Sequence, residues 1–364
     1  MAVRAVFRAD ASLEIGTGHI LRCLTLADAL RASGSECFFV ARDHIGNLHE
    51  LVEARGYPLL RLGEGDSVKV RGSTGGYAQW LGVDPMRDAD DTRDQLSGLS
   101  VDLLVVDHYG LDARWERSLR PICKRIMAVD DLANREHAVD VLLDQNLGKS
   151  PQDYEGRVPH SCKLFLGPSF ALLRPEFSAQ RRASLRRRQE GQLRKVLVTM
   201  GGVDLENSTA MVLEALNAWG PPASLDVTVV LGPTFPWADH VLQQVKRLSF
   251  NSEVKVNVRD MAELMRDADL AIGAAGSTSW ERCCMGLPTL QLVLAENQRP
   301  IADALGRAGA AHLLDPVALR SSLVAAMEQL IGDTTMLLRM SNIAAQLVDG
   351  HGAERVACLL NEGL

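Results

Sequence analysis

Short apolar runs alternate with stretches of helical period along the whole of this chain. In the first half, Ala2–Phe7, Cys37–Ala41, Pro58–Leu62, Leu103–Asp107, Ile126–Asp130 and Asp140–Asp144 read as strands. The pattern restarts at Leu193 with the run VLVTM, and Asp226–Leu231, Glu253–Val258, Leu270–Gly273, Thr289–Leu292 and Ala311–Leu314 follow as strands. Strands separated by helical stretches predict parallel sheets covered by helices. At 364 residues the chain is too long for one ordinary core, so the expected fold class is α/β with two Rossmann-like domains and a cleft between them. The expected bounds are 1–174, a basic linker helix over 175–194, a second domain over 195–345, and a terminal helix over 346–364 that packs back on the first domain. Between Gly63 and Gly98 the pattern loosens into a loop with Gly72, Gly75 and Gly76, then an acidic helix capped by Asp84 and opened by Pro85. Helices over Ser322–Leu330, Thr335–Val348 and Glu354–Leu360 end the chain.

Within this pattern, VRAVFRADASLEIGTGHILRCLTLADAL, residues 3–30, reads as a strand, a glycine-bearing turn and a helix. Ile20, Cys23, Leu24, Ala27 and Leu30 recur at helical spacing, which places His19 in the first helical turn. Gly16 and Gly18 admit backbone angles and a close ligand approach that a Cβ would block. Free N–H groups and the positive end of the helix dipole favour an anion here and disfavour a protonated imidazole. A neutral His19 beside a phosphate is then suited to general-base chemistry; a surface or hydrogen-bonding histidine fits the same turn. The glycine spacing is not G-x-G-x-x-G and no acidic residue ends the next strand, so a dinucleotide is not expected. Asp107 and His108 fit a strand-end loop cap, and Asp130 and Asp131 fit a turn.

A second candidate region repeats the device. Gly201 and Gly202 follow the strand VLVTM and can present backbone N–H groups to a phosphate or sugar. In LAIGAAGSTSWERCC a strand ends at Gly273, small residues leave backbone exposed, and Ser277 or Thr278 caps a helix whose N-terminus suits a diphosphate. Glu281, about one turn in, fits either a capping box with Ser277 or Thr278 or a carboxylate that accepts two ribose hydroxyls. Asn297 and Gln298 lie past the strand Thr289–Leu292, where they can cap a helix or orient a sugar.

A net charge of −7 speaks against a broad nucleic-acid surface and leaves any phosphate site local. No apolar window offers a membrane span, and the charged start does not read as a signal peptide, so the cytoplasm is the expected compartment. The seven cysteines, Cys23, Cys37, Cys123, Cys162, Cys283, Cys284 and Cys358, lack a C-x-x-C pair and suggest neither a disulfide framework nor zinc. His19 and Cys23 share a helix face, but no second pair completes a metal site, so no metal and no cofactor are expected. The basic run from Arg181 to Lys195 is expected to be a solvated linker helix.

The segments FRADASLEIGTGHILRCLTLADAL, VVDHYGLD, LLDQNLG, YEGRVP, FALLRPEF, VTMGG, GAAGSTSWE and ENQ occur in one consistent order over most of the chain. Together they closely resemble the PseG family, UDP-2,4-diacetamido-2,4,6-trideoxy-β-L-altropyranose hydrolases of pseudaminic acid synthesis, a nonulosonic acid pathway. PseG proteins are similar to MurG-type glycosyltransferases of the GT-B fold. The resemblance implies two Rossmann-like domains with parallel sheets facing a central cleft, and metal-independent release of UDP and free sugar by inverting water attack at the anomeric carbon. It implies His19 as general base or water-orienting residue, Tyr109 near the reacting centre and Asn297 as a polar residue of the cleft, both expected to serve catalysis; Gly16, Gly18 and Gln298 are expected to line the site from their own positions. It further implies Ser277 and Thr278 near the diphosphate, Glu281 on the ribose, and backbone around Val258 to Met261 at the uracil; Gly201 and Gly202 are expected at the substrate from their own pattern. A small-molecule UDP-sugar is the expected partner, with the oligomeric state left open. A GT-B glycosyltransferase using the same donor, and a non-catalytic UDP-sugar-binding protein, fit the same motifs.

Overall fold

The structure, a computed structural model, describes residues 3–65, 76–202, 204–233 and 235–362. It divides into two compact units: the first runs up to Leu172 and resumes at Gly352, and the second runs from Leu173 to His351. The loop glycines Gly72 and Gly75 lie outside the described residues, as does Ala2 of the first expected strand.

The first unit holds strands β1 (Arg4–Ala9), β2 (Glu36–Arg42), β3 (Leu59–Leu62), β4 (Val101–Asp107), β5 (Cys123–Val129), β6 (Val141–Asp144) and β7 (Lys163–Leu166). They form one parallel sheet in the order β3-β2-β1-β4-β5-β6-β7. Its helices are α1 (Gly18–Ala32), α2 (His49–Ala54), α3 (Pro85–Gln95), α4 (Ala113–Leu119) and, from the end of the chain, α13 (Gly352–Glu362). The strand period of two sorts the core into two layers. Ala5 and Phe7 face Ile20, Leu24 and Ala27 of α1 and Val356 and Leu360 of α13, while Val6, Leu104 and Val106 face Trp115 and Leu119. Each large side chain buried this way contributes about 1.5–3 kcal/mol. The edge strand β7 has no counterpart in the sequence reading, because only Leu164–Leu166 of KLFL form an apolar run, between Lys163 and Gly167.

Polar groups pin the carboxyl end of this sheet. Arg8 and Arg42 both donate to the Asp88 carboxylate, at 2.7 and 2.8 Å, and Trp115 Nε1 joins them at 3.0 Å. The acidic helix α3 does begin at Pro85, with Asp84 accepting from Met86 N at 2.8 Å. Its Asp88 nevertheless points inward as the counter-ion of two buried guanidiniums rather than to water.

The second unit holds β8 (Lys195–Thr199), β9 (Asp226–Leu231), β10 (Asn251–Val256), β11 (Leu270–Ala274), β12 (Thr289–Leu292) and β13 (Ala311–Leu313), parallel in the order β10-β9-β8-β11-β12-β13. Its helices are α5 (Pro175–Arg188), α6 (Ser208–Trp219), α7 (Ala238–Val245), α8 (Met261–Asp267), α9 (Thr278–Cys284), α10 (Arg299–Ala308), α11 (Leu319–Gly332) and α12 (Thr334–Leu347). The basic run divides: Arg181 to Arg188 lie in α5, which belongs to the second unit, and Lys195 opens β8. Arg182, Arg186 and Arg194 are exposed as expected, but Arg188 is buried with its guanidinium donating to the carbonyls of Met265, Ala268 and Met285.

Candidate active site

In the first sheet the strand order reverses between β1 and β4. Open α/β sheets bind ligands at the carboxyl ends of the strands beside such a reversal. His19 follows β1, Asp107 ends β4 and His108 and Tyr109 follow it, so the topology gathers them at one point. The loop from β1 to α1 is a tight turn in which Gly16 N donates to Ser12 O at 2.8 Å and Ser12 Oγ accepts from Ile15 N at 2.9 Å. Gly16 sits at φ +79°, in the left-handed region. Gly18 is simply the first helical residue, and His19 the second.

His19 Nδ1 lies 2.6 Å from Asp107 Oδ1. Arg22, one turn further along α1, grips the same carboxylate with both Nε and Nη2 at 2.6 Å, and its Nη1 reaches Asp131 Oδ2 at 2.6 Å. Tyr109 donates its hydroxyl to Asp131 Oδ2 at 2.7 Å, and Asn146 Nδ2 donates to Asp131 O at 3.1 Å. The Tyr109 ring stands edge-on to the imidazole at 4.7 Å and stacks with Trp80 at 5.7 Å. His19, Arg22, Asp107 and Asn146 are all buried.

The electrostatics follow from these contacts. Burial alone would raise the Asp107 carboxyl, but Arg22 and then His19 overrule it and hold it well below the usual carboxylate range. An ionised Asp107 only accepts, so the proton of a neutral His19 sits on Nδ1 and the lone pair on Nε2. Nε2 has no hydrogen-bond partner among the described residues. Burial, and then Asp131, push the Tyr109 phenol well above its ordinary value, so it stays protonated as a donor to Asp131.

Other side chains here are structural. His108 accepts from Gly110 N through Nδ1 at 2.9 Å, and burial pushes its imidazole down to about 3, which keeps it neutral. Asp130 accepts from the N–H groups of Leu132 and Ala133 and organises the turn, whereas Asp131 does not and faces Arg22 instead. Asp107 is no loop cap: it is the anion between His19 and Arg22. Sequence reasoning missed Arg22, Asn146 and Trp80. Only Arg22 left a signal, being three residues from His19 and therefore on the same helical face.

The second sheet reverses between β8 and β11. Gly201 and Gly202 follow β8, with Gly201 at φ +96°. A Cβ on Gly232, after β9, would lie 2.0 Å from Gly202 O, so the two loops meet backbone to backbone. Ser277 and Thr278 open α9 after β11, yet neither side chain caps the helix, and the capping box with Glu281 does not form. Glu281 instead lies 3.8 Å from Arg174 Nη2, and burial pushes it up to about 7 against the pull of Arg174. Asn297 and Gln298 sit in a single turn, Glu296–Gln298, after β12. Gln298 caps nothing through its side chain; its Oε1 accepts from Leu294 N at 3.0 Å, while its Nε2 lies beside Gly276. Val258 and Met261 follow the edge strand β10, with Met261 opening α8. The candidate residues therefore divide between the units: His19, Tyr109, Gly16 and Gly18 in the first, and all the others in the second.

Among the described residues no group of three or more His, Cys, Asp or Glu side chains is placed to hold a metal ion. No helix there is long and apolar enough to cross a membrane.

Against solved structures, the chain matches MurG of Acinetobacter baumannii with a TM-score of 0.70 at 17% identity, over 99% of each chain. The fold is GT-B. No protein-family model matches the chain. It is 27% identical over 81% of its length to an uncharacterized protein of Methanocaldococcus jannaschii, spanning 56% of that relative. It is 24% identical to the UDP-2,4-diacetamido-2,4,6-trideoxy-β-L-altropyranose hydrolase of Campylobacter jejuni, over 84% of this chain and 97% of the relative. The resemblance to PseG proteins thus extends along nearly the whole of that relative.

Proposed function

We propose that this chain is an enzyme acting on a UDP-sugar, and that it hydrolyses a UDP-linked diacetamido-trideoxy sugar of the PseG type to UDP and free sugar. The observation that carries the proposal is the His19–Asp107–Arg22 arrangement, an imidazole oriented through Nδ1 with Nε2 unengaged. A water positioned at Nε2 gives up its proton to His19 as its oxygen bonds to the anomeric carbon from the face opposite UDP. The bond from that carbon to the β-phosphate oxygen breaks, and its electron pair leaves with UDP. General-base assistance of this kind contributes roughly 10²–10⁴-fold. UDP is a good leaving group, and backbone N–H groups can stabilise its developing charge, so the step needs no metal.

In this proposal the glycine loops after β8 and β11, with Ser277 and Thr278, take the diphosphate. Glu281 accepts from the ribose and the backbone from Val258 to Met261 meets uracil. Asn297 and Gln298 orient the sugar. Tyr109 holds the His19 ring rather than exchanging protons, since its hydroxyl is already committed to Asp131. The named activity of the Campylobacter jejuni relative supports the choice of sugar.

Proton and phosphorus NMR of the protein with UDP-2,4-diacetamido-2,4,6-trideoxy-L-altrose, in EDTA and without an acceptor, tests the proposal. UDP and the inverted free sugar are expected. Intact substrate in the presence of protein that binds UDP would refute hydrolysis and favour transfer to an acceptor.

A further inference from the structure

At the second reversal point lies a cation whose hydrogen-bond partners carry no charge. Arg282, in the last turn of α9, is 1% exposed. Its Nη2 donates to Ala274 O at 2.7 Å and to Ser279 Oγ at 2.9 Å. Its Nε and Nη1 are buried with no partner among the described residues. A buried ion without compensation is unfavourable, and a folded chain keeps one only where something offsets it.

The strand beside it has given way to make room. A Cβ on Gly273 would lie 2.5 Å from Arg282 Nη1 and 2.6 Å from Thr199 O. The guanidinium therefore occupies the space of the missing side chain, against the last residues of β8 and β11. Glycine inside a strand weakens it, and is found where something must approach closely. Here that something is a positive charge, directly before the glycine loop of Gly201 and Gly202 and the small-residue turn Ala275–Ser277. Burial lowers the guanidinium to about 10, with Cys283 and Glu281 opposing, so it remains charged at neutral pH.

We propose that Arg282 is the buried charge that secures an anionic diphosphate at this point of the second unit. This rests on the proposed UDP-sugar function and assigns the residue that balances the ligand's charge. Arg282 is a positioning residue: its field acts on the anion from beneath the backbone loops, and the anion in turn compensates the orphaned cation. In a partly buried setting, opposite charges several ångströms apart still interact strongly enough to change affinity by roughly tenfold or more.

Calorimetric titration of UDP and of uridine into the native protein, Arg282→Met and Arg282→Lys tests this. Arg282→Met is expected to bind UDP at least tenfold more weakly and uridine within twofold of native, with an unchanged or higher Tm, since an apolar replacement removes a buried ion. Arg282→Lys, which keeps the charge, is expected to retain most of the UDP affinity. If the methionine variant fails to fold, Arg282→Gln replaces it with the same expectation. UDP affinity within twofold of native in the neutral variants, or equal losses for UDP and uridine, would overturn the proposal. A native protein that binds neither ligand would instead overturn the proposed UDP-sugar function itself.

Discussion

The two units present the same topological feature in opposite materials. At the β1/β4 reversal the first unit brings together side chains, with His19, Arg22, Asp107, Tyr109, Asp131 and Asn146 joined by hydrogen bonds of 2.6–3.1 Å. At the β8/β11 reversal the second unit offers glycines, small residues, and the ionisable groups Glu281 in the first turn of α9 and Arg282 in its last. A network of fixed side chains can orient one imidazole; exposed backbone can receive a phosphate of any sugar nucleotide. Under the proposed function, chemistry and discrimination fall to the first unit and nucleotide affinity to the second.

The most severe test of that division is His19→Ala. Turnover is expected to fall by roughly 10²–10⁴ while UDP affinity by calorimetry stays within a few-fold; parallel losses would mean that the first unit also holds the nucleotide. Asp107→Asn should lower turnover by a smaller but still large factor, because the amide no longer fixes the imidazole proton on Nδ1. It also leaves Arg22 partly uncompensated, so the urea midpoint should drop by the equivalent of about 3–5 kcal/mol. Steady-state rates and urea unfolding on the same preparation separate the two effects, and native-like values in both would dissolve the network's assigned role.

In the second unit, Glu281→Ala is expected to weaken UDP by roughly tenfold, the scale of a hydrogen bond to a charged group, with little change in turnover at saturation. Titration sharpens this further. Because burial raises Glu281 to about 7, the folded chain holds a proton between its ordinary value and pH 7 that the unfolded chain has released. Stability should therefore decline as pH rises across that window and level off above it, and Glu281→Gln should flatten the slope. The smallest effect is expected from Tyr109→Phe, which keeps the ring against His19 and removes only the bond to Asp131. About 1 kcal/mol of stability and less than tenfold in turnover are expected, whereas a collapse of activity would give the hydroxyl a direct part in the reaction.

Much of the fold was legible because parallel sheets buried on both faces require nearly continuous apolar strands. Runs such as Leu103–Asp107 and Leu270–Gly273 stand out in any sequence, and a helix with apolar residues at 20, 23, 24, 27 and 30 has one inward face. The edge strand β7 escaped because its apolar run is only Leu164–Leu166, between Lys163 and Gly167. Within the basic run charge is no guide to solvation at Arg188, which finds three backbone carbonyls inside the second unit, while Arg182 and Arg186 are exposed.

Of the first site, the sequence by itself determined His19 and its place at a helix start, since both depend on local spacing. The carboxylate that orients it was visible only as a strand-end aspartate. Asp107 is 88 residues away from His19, and Asp131 is 109 away from Arg22. Only the order of strands in the sheet makes β1 and β4 neighbours and turns these distant residues into one network. The same holds for Arg282, which no local spacing marks as buried. Its burial over Gly273 is decided by how α9 folds back on β11, because a charge becomes consequential only once packing removes the water around it.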